Sequence, residues 1–160
     1  MTTNQTVPFS ESTQTWRGLT QLLKVLNWNA EGLKNALKYI PTKELLEYDI
    51  MVFSETFKTE LINIDWFYGL HSYGRKTDSR PTGGVSCYLR PTQGNFKVVH
   101  KEEDVLTVRT DNITVVALSI RPQATTEAVI ETIMASIADT STDESIIIVG
   151  DINFRIDNTQ

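Results

Sequence analysis

The 160-residue chain has one cysteine, Cys87, so no disulfide can form within it. A lone thiol without a visible signal peptide makes a reducing compartment, nuclear or cytoplasmic, the expected setting. Histidine is nearly as scarce: His71 and His100 stand in separate segments, with no Cys/His spacing of the zinc type. A Ser–His–Asp order is also lacking. Long apolar runs are missing, and stretches such as Ile146 to Val149 fall far short of the roughly 20 residues a membrane helix needs. No glycine-rich loop of the P-loop or dinucleotide kind occurs, because Gly83-Gly84 precedes a β-rich run and not a helix. There is no internal repeat. A net charge of −5 argues against a wholly basic nucleic-acid coat protein, though not against a local basic patch.

What is present is enough for one domain. Hydrophobic residues make up 40% of the chain, too many for a disordered polymer. A chain of this length buries roughly 70% of its unfolded surface. Charge is segregated along it. Residues 71–101 hold six basic residues (Arg75, Lys76, Arg80, Arg90, Lys97, Lys101) against Asp78 alone, a local +5 between acidic flanks. Such a block reads either as a solvated loop and hairpin or as a surface that meets phosphates.

Residues 1–21 are polar, with few aliphatics, and read as a mobile tail; the domain begins at Leu22. Leu22 to Asn27 predicts a short strand. Leu33, Ala36, Leu37 and Ile40 recur at helical spacing, and Pro41 opens a second short helix. Ile50 to Phe53 predicts a buried strand, Trp66 to Tyr73 an aromatic irregular segment, and Asp78 to Gly84 a flexible loop. Val85 to Leu89, Phe96 to Val99, Val105 to Arg109 and Ile113 to Ile120 are β-rich runs with short connections, the pattern of an antiparallel meander. Ala128, Val129, Thr132, Ile133, Ser136 and Ile137 mark an amphipathic helix, and Ile146 to Val149 a fully buried strand. Together these predict an α/β layered fold with a mixed sheet.

Polar groups stand just past the ends of the predicted strands: Asn29, Glu55, and Asp151 with Asn153. Rigid strand ends hold side chains at the mouth of an α/β sheet, where ligands bind. Any one of them alone would serve equally as a polar cap; the convergence of several carries the functional reading. Carboxylate and amide oxygens are hard donors suited to Mg²⁺ or Mn²⁺. The chemistry that fits is metal-assisted attack of water on a phosphate ester, with a carboxylate orienting and deprotonating the water.

Four motifs then carry a resemblance. Trp28-Asn29-Ala30-Glu31-Gly32-Leu33, Phe53-Ser54-Glu55-Thr56, Gly83-Gly84-Val85-Ser86-Cys87-Tyr88 and Gly150-Asp151-Ile152-Asn153 occur in the order seen in the endonuclease/exonuclease/phosphatase superfamily. Ser79-Arg80-Pro81-Thr82-Gly83-Gly84-Val85 most resembles the apurinic-like endonuclease domain of LINE-type (non-LTR) retrotransposons. The likeness implies the N-terminal portion of a four-layer α/β sandwich, two mixed sheets flanked by helices, with residues 22–160 an incomplete domain. It implies that Glu55 binds the metal with Asn29 and Glu31, that Asp151 activates water, and that Asn153 contacts phosphate. Arg75, Lys76, Arg80 and Arg155 would meet the nucleic-acid backbone.

Two departures stand out. Ile120-Arg121-Pro122 occupies a place where the family often has Tyr two residues before Pro, and no Ser-Asp-His motif follows Asn153. The function implied is Mg²⁺-dependent nicking of DNA, impaired in this fragment, with a reverse transcriptase and the rest of the domain as partners in a parent polyprotein. Two alternatives stay open: a phosphatase of the same superfamily acting on inositol phosphates or lipids, and a non-catalytic fragment that binds nucleic acid. A domain cut short would expose an inner strand and its apolar side, favouring association.

Overall fold

A computed structural model describes residues 22–75 and 81–153, and the backbone of residues 2–4. In chain order the elements are β1 (Thr2–Asn4), β2 (Leu23–Asn29), α1 (Leu33–Ala36), α2 (Thr42–Leu45), β3 (Ile50–Ser54), β4 (Tyr68–Ser72), β5 (Val85–Leu89), β6 (Phe96–Glu102), β7 (Val105–Thr110), β8 (Thr114–Ser119), α3 (Thr126–Ser136) and β9 (Ile146–Asp151). They form two mixed sheets. The first has the order β1-β2-β3-β5-β4, with β2 and β3 parallel; the second has the order β6-β7-β8-β9, with β8 and β9 parallel.

Strand parity sorts the side chains into three cores, which define four layers. Leu26, Met51, Phe53 and Tyr88 face outward from the first sheet and pack with Leu33 and Ala36 of α1 and Leu45 of α2. Val25, Ile50, Val52, Val85, Cys87 and Leu89 face inward, against Leu106, Val108, Val115 and Ala117 of the second sheet. Val105, Val116 and Leu118 form the outer face of the second sheet, covered by Val129 and Ile133 of α3. The Thr125 hydroxyl starts α3 by accepting the Ala128 N–H at 3.2 Å.

Several expectations need correction. Trp66 to Tyr73 is not irregular throughout, since β4 runs through it and pairs in register with β5. The run of four β segments does not make a single meander. The chain crosses between sheets at a 3₁₀ turn, Pro91–Gln93, so β5 lies in the first sheet and only β6–β8 form the meander. The helix read through Ile40 closes after one turn, and Lys38 and Tyr39 then donate to carbonyls three residues back, a tighter winding. Most tellingly, β9 is not fully buried. Among the described residues it is an edge strand, and Ile146 and Ile148 remain 37% and 39% exposed while Ile147 and Val149 face the core between the sheets. Periodicity cannot separate a central strand from an edge strand whose outer face is equally aliphatic. Within the predicted tail, Thr2–Asn4 pair antiparallel with β2; residues 5–21 lie outside the described residues.

Candidate active site

Between the sheets the packing is aliphatic for most of its length and turns polar at one end. Val25, Asn27 and Asn29 share the inward face of β2, and Ile147, Val149 and Asp151 share that of β9. The same period-2 alternation that buries the aliphatic residues thus aims Asn29 and Asp151 at one another across the gap. Asn29 Nδ2 donates to Asp151 Oδ2 at 2.9 Å, and Asn27 Nδ2 donates to the Gly150 carbonyl at 3.3 Å. Both polar residues are the last of their strands rather than the first beyond them.

Asp151 is held from several sides. Its Oδ1 accepts the Asn153 N–H at 3.2 Å, an Asx-type turn, while its carbonyl accepts the Ile120 N–H at 2.7 Å. Asn153 has a left-handed φ of 47°, and its Nδ2 donates to the Ile120 carbonyl at 2.7 Å. One of its two amide hydrogens is therefore committed to tying β9 to β8. Gly150 makes this close pairing possible, because a Cβ there would collide with the backbone of Leu118.

Glu55 sits beside this pair. Asn29 is in register with Ser54 on the neighbouring strand, and Glu55 follows immediately. The two turns leaving β2 and β3 are stapled together: Ala30 N–H donates to Ser54 O, Gly32 N–H to Glu55 O at 2.8 Å and Leu33 N–H to Thr56 O at 3.1 Å. Glu31 is exposed, and its N–H donates to Asn29 Oδ1 at 3.3 Å. Six non-glycine residues among those described have positive φ, and Glu31, Glu55 and Asn153 are three of them. Backbone strain of this kind, about 1–3 kcal/mol per residue, persists where surrounding contacts over-determine it and gathers at functional sites.

Among the described residues, Asn27 Oδ1, Ser54 Oγ and Thr56 Oγ1 are buried at this end without a hydrogen-bond partner. Such groups carry a desolvation cost of about 1–3 kcal/mol each. No group of three His, Cys, Asp or Glu side chains is close enough to cage a metal among the described residues. A donor set of one or two carboxylates with amide and hydroxyl oxygens nevertheless fits Mg²⁺, which keeps several waters and rarely uses an all-carboxylate cage. The sequence does not single out Asn27, Ser54 and Thr56, although Asn27 lies two residues before Asn29 and so on the same strand face.

Of the loop predicted from Asp78 to Gly84, residues 78–80 lie outside the described residues, and Gly83-Gly84 is bonded into the end of the first sheet. Gly84 O accepts the Thr56 N–H at 3.3 Å and Gly83 O the Phe57 N–H at 3.0 Å, so the glycines brace the turn that carries Glu55. Gly84 has φ of 87°, and a Cβ there would lie 2.6 Å from Thr56 Oγ1. Their N-terminal neighbours Lys76 and Arg80, like Arg155, lie outside the described residues. Arg75 is exposed, just beyond β4. Because Ser54, Val85 and Ser72 are in register, Arg75 leaves the sheet at the same end as Glu55. Lys101 of β6 reaches that end too, with Nζ 5.2 Å from the Tyr73 ring.

Among the described residues neither histidine bonds to Asn29, Glu55 or Asp151, and His100 Nε2 lies 3.4 Å from Glu102 Oε1. His71 is buried, with Nδ1 2.7 Å from Ser86 Oγ and Nε2 3.1 Å from Lys58 O, the pattern of a neutral ring whose Nε2–H donates. Burial chiefly, helped by the Lys101 cation, holds its pKa below the ordinary imidazole value. Ile120, at the expected Tyr position, is buried in the core beneath α3.

No protein-family sequence model matches the chain, and no curated protein is similar to it in sequence. Solved structures are similar in fold. An AP endonuclease from Archaeoglobus fulgidus aligns with TM-score 0.57 and 15% identity, covering 82% of this chain and 57% of that one. The endonuclease domain of TRAS1, a telomere-specific non-LTR retrotransposon, aligns with TM-score 0.60 and 12% identity over 84% of this chain and 62% of that one. The chain has the endonuclease/exonuclease/phosphatase fold. A family protein from Leptotrichia buccalis adds a third match, TM-score 0.56 at 15% identity, over 82% of this chain and 66% of that one. The chain thus spans roughly three-fifths of the length of these structures. No helix among the described residues is long and apolar enough to cross a membrane.

Proposed function

We propose that the chain belongs to a metal-dependent phosphodiesterase of the endonuclease/exonuclease/phosphatase superfamily that nicks DNA, of the non-LTR retrotransposon type. The observation that carries this reading is the Asn29–Asp151 bridge at the shared end of the two sheets, beside the strained Glu55 turn. Asp151, oriented by the Asn29 amide and the Asn153 N–H, keeps lone pairs free to align a water and take its proton during in-line attack. Glu55 and Asn29, with Glu31 at the rim, would hold Mg²⁺ or Mn²⁺. When bound, the cation supplies charge neutralisation on the phosphate. The second Asn153 amide hydrogen is available to a phosphate oxygen.

DNA is favoured over inositol phosphates or lipids by the basic residues at this end. Arg75 and Lys101 lie there, and Lys76, Arg80 and Arg155 adjoin it in sequence. Their contribution would be electrostatic and salt-sensitive. The 160 residues contain no Ser-Asp-His, so the acid/base or charge-stabilising group expected from that motif has no counterpart here. Such a group contributes about 10²–10⁴-fold, and the chain by itself is expected to nick slowly. A reverse transcriptase in the same polypeptide is the partner this reading implies.

The test is nicking of supercoiled plasmid with and without Mg²⁺, beside phosphate release from inositol phosphates. Plasmid nicking that needs Mg²⁺ and falls at least about 10²-fold in Asp151→Ala supports the reading. Glu55→Gln should raise the Mg²⁺ requirement, and an unchanged metal titration removes Glu55 as ligand. Phosphate release without nicking favours the phosphatase. Salt-sensitive DNA binding that survives Asp151→Ala, with no nicking by the intact chain, leaves only a binding fragment.

A further inference from the structure

Asp104 occupies an unusual place for a carboxylate. It lies in the tight turn between β6 and β7, where its neighbours Glu102 and Glu103 are exposed, yet only 6% of its surface meets solvent. It adopts a left-handed φ of 60°, and like Glu55 it is not a glycine. Its backbone is tied on both sides, the N–H to Tyr73 O at 3.1 Å and the carbonyl to Ser119 N–H at 2.9 Å. Its side chain crosses to the other sheet, where Oδ1 accepts the Gly84 N–H at 2.5 Å. Arg121 Nη2 lies 3.7 Å from Oδ2 and also pairs with Glu103.

A buried carboxylate is costly unless its lone pairs are used, and here they are used on one particular amide. That amide belongs to Gly84, whose carbonyl takes the Thr56 N–H, while Gly83 takes that of Phe57. Thr56 and Phe57 directly follow Glu55, and Gly32 N–H holds the Glu55 carbonyl from the opposite side. An unbroken relay therefore runs from the second sheet to the strained Glu55 turn through Asp104, Gly84 and Thr56. The tightness of the relay is visible at Gly83 and Gly84, where an added Cβ would strike Asp104 and Thr56 respectively.

We propose that Asp104 is a positioning residue for Glu55, fixing the Glu55 turn by holding the Gly84 amide. The proposal rests on the reading of Glu55 as a metal ligand for its consequence, but not for the coupling itself. The coupling is read without metal, by amide hydrogen exchange on the full chain. Asp104→Ala should speed exchange at Gly84, Thr56 and Phe57 at least about tenfold, about 1.4 kcal/mol of local opening. Amides of Val52 and Val116 should stay protected. Asp104→Asn keeps an acceptor oxygen and should preserve exchange at all three.

In the nicking assay Asp104→Ala should raise the Mg²⁺ concentration for half-maximal rate severalfold, and Asp104→Asn should restore it. Unchanged exchange at Thr56 and Phe57 in Asp104→Ala overturns the proposal. So does an equal rise at Val52 and Val116, which would show a merely structural loss. Faster exchange at the Glu55 turn with an unaltered Mg²⁺ requirement overturns the claim that a ligand is being positioned. Absence of any Mg²⁺-dependent nicking by the unmodified chain would instead sink the proposed function, leaving the coupling to be decided by exchange.

Discussion

Gly150→Ala probes whether the pairing of β8 with β9 is as close as the geometry requires. Gly150 has φ of 136°, and a Cβ there would overlap the Leu118 carbonyl oxygen and lie 2.8 and 2.9 Å from its carbon and nitrogen. These are backbone atoms of the neighbouring strand, directly across the register, so no side chain can swing aside. Ordinary contact needs about 3.5–4 Å, so the Leu118 carbonyl oxygen must recede by roughly 1.5–2 Å. Overpacking of that kind costs about 1–3 kcal/mol, and the positive φ adds about 1–3 kcal/mol for a residue with a Cβ. A total of about 2–6 kcal/mol is a large share of the ~5–15 kcal/mol that holds a domain together. At about 2–4 °C per kcal/mol for a chain of this size, the midpoint should drop by at least about 4 °C. Thermal and urea unfolding of the purified chain measure this. Because Asp151 is the next residue, nicking should also fall at least about 10²-fold, the cost of a 1 Å misplacement. Gly69→Ala is the control: its Cβ would meet the Leu61 and Tyr88 side chains near 3.0 Å, with no adverse φ, and should cost less than half as much. A Gly150→Ala protein that melts within about 1 °C of the parent would refute the close approach on which the placement of Asp151 depends.

Three further outcomes follow. Burial pushes the Cys87 thiol up to about 12, so it should resist a thiol reagent at pH 8 until urea unfolds the chain; rapid labelling of native protein would contradict its place in the inter-sheet core. For His71, whose pKa is lowered on folding, the unfolded chain binds the extra proton first. Its contribution to stability is then complete above the unfolded value near 6.5 and declines as pH falls through 6.5 toward the lower folded value. Urea midpoints should drop between pH 7.5 and 5.5, and His71→Phe should flatten that slope; parallel profiles for both proteins would argue against it. On the exposed face of β9, Ile148→Lys should reduce association at micromolar concentration, measured by light scattering, with a stability change within about 0.5 kcal/mol. A parent chain that is already a monodisperse monomer would remove this face as an association site.

The legible part of the fold was whatever alternates or repeats locally. The aliphatic runs from Ile50, Val85, Val105 and Ile146 announced strands because β-branched residues crowd there, and the spacing of Val129, Ile133 and Ile137 announced α3. Assignment of strands to sheets was not legible. Nothing in Pro91-Thr92-Gln93-Gly94-Asn95 distinguishes a hairpin turn from a crossing between two sheets. Exposure along β9 was equally hidden, because Ile146 and Ile148 look no different in sequence from Ile147 and Val149.

For the site, strand-end position located Asn29, Glu55, Asp151 and Asn153 one by one, but not the bonds that join them. The Asn29–Asp151 contact spans 122 residues and the Gly84–Asp104 contact links two sheets, so each is fixed by tertiary packing alone. Strand parity is the bridge between the two levels. Once Val25 and Val149 are committed to the inter-sheet core, a period of two places Asn27, Asn29 and Asp151 on that same inward face. A one-residue slip in either strand would turn its polar residues outward and its outward residues into the core. The aliphatic packing that stabilises the sandwich therefore also sets the register of the site. A weakened inter-sheet core should loosen the Asn29–Asp151 pair even where the substitution touches neither residue.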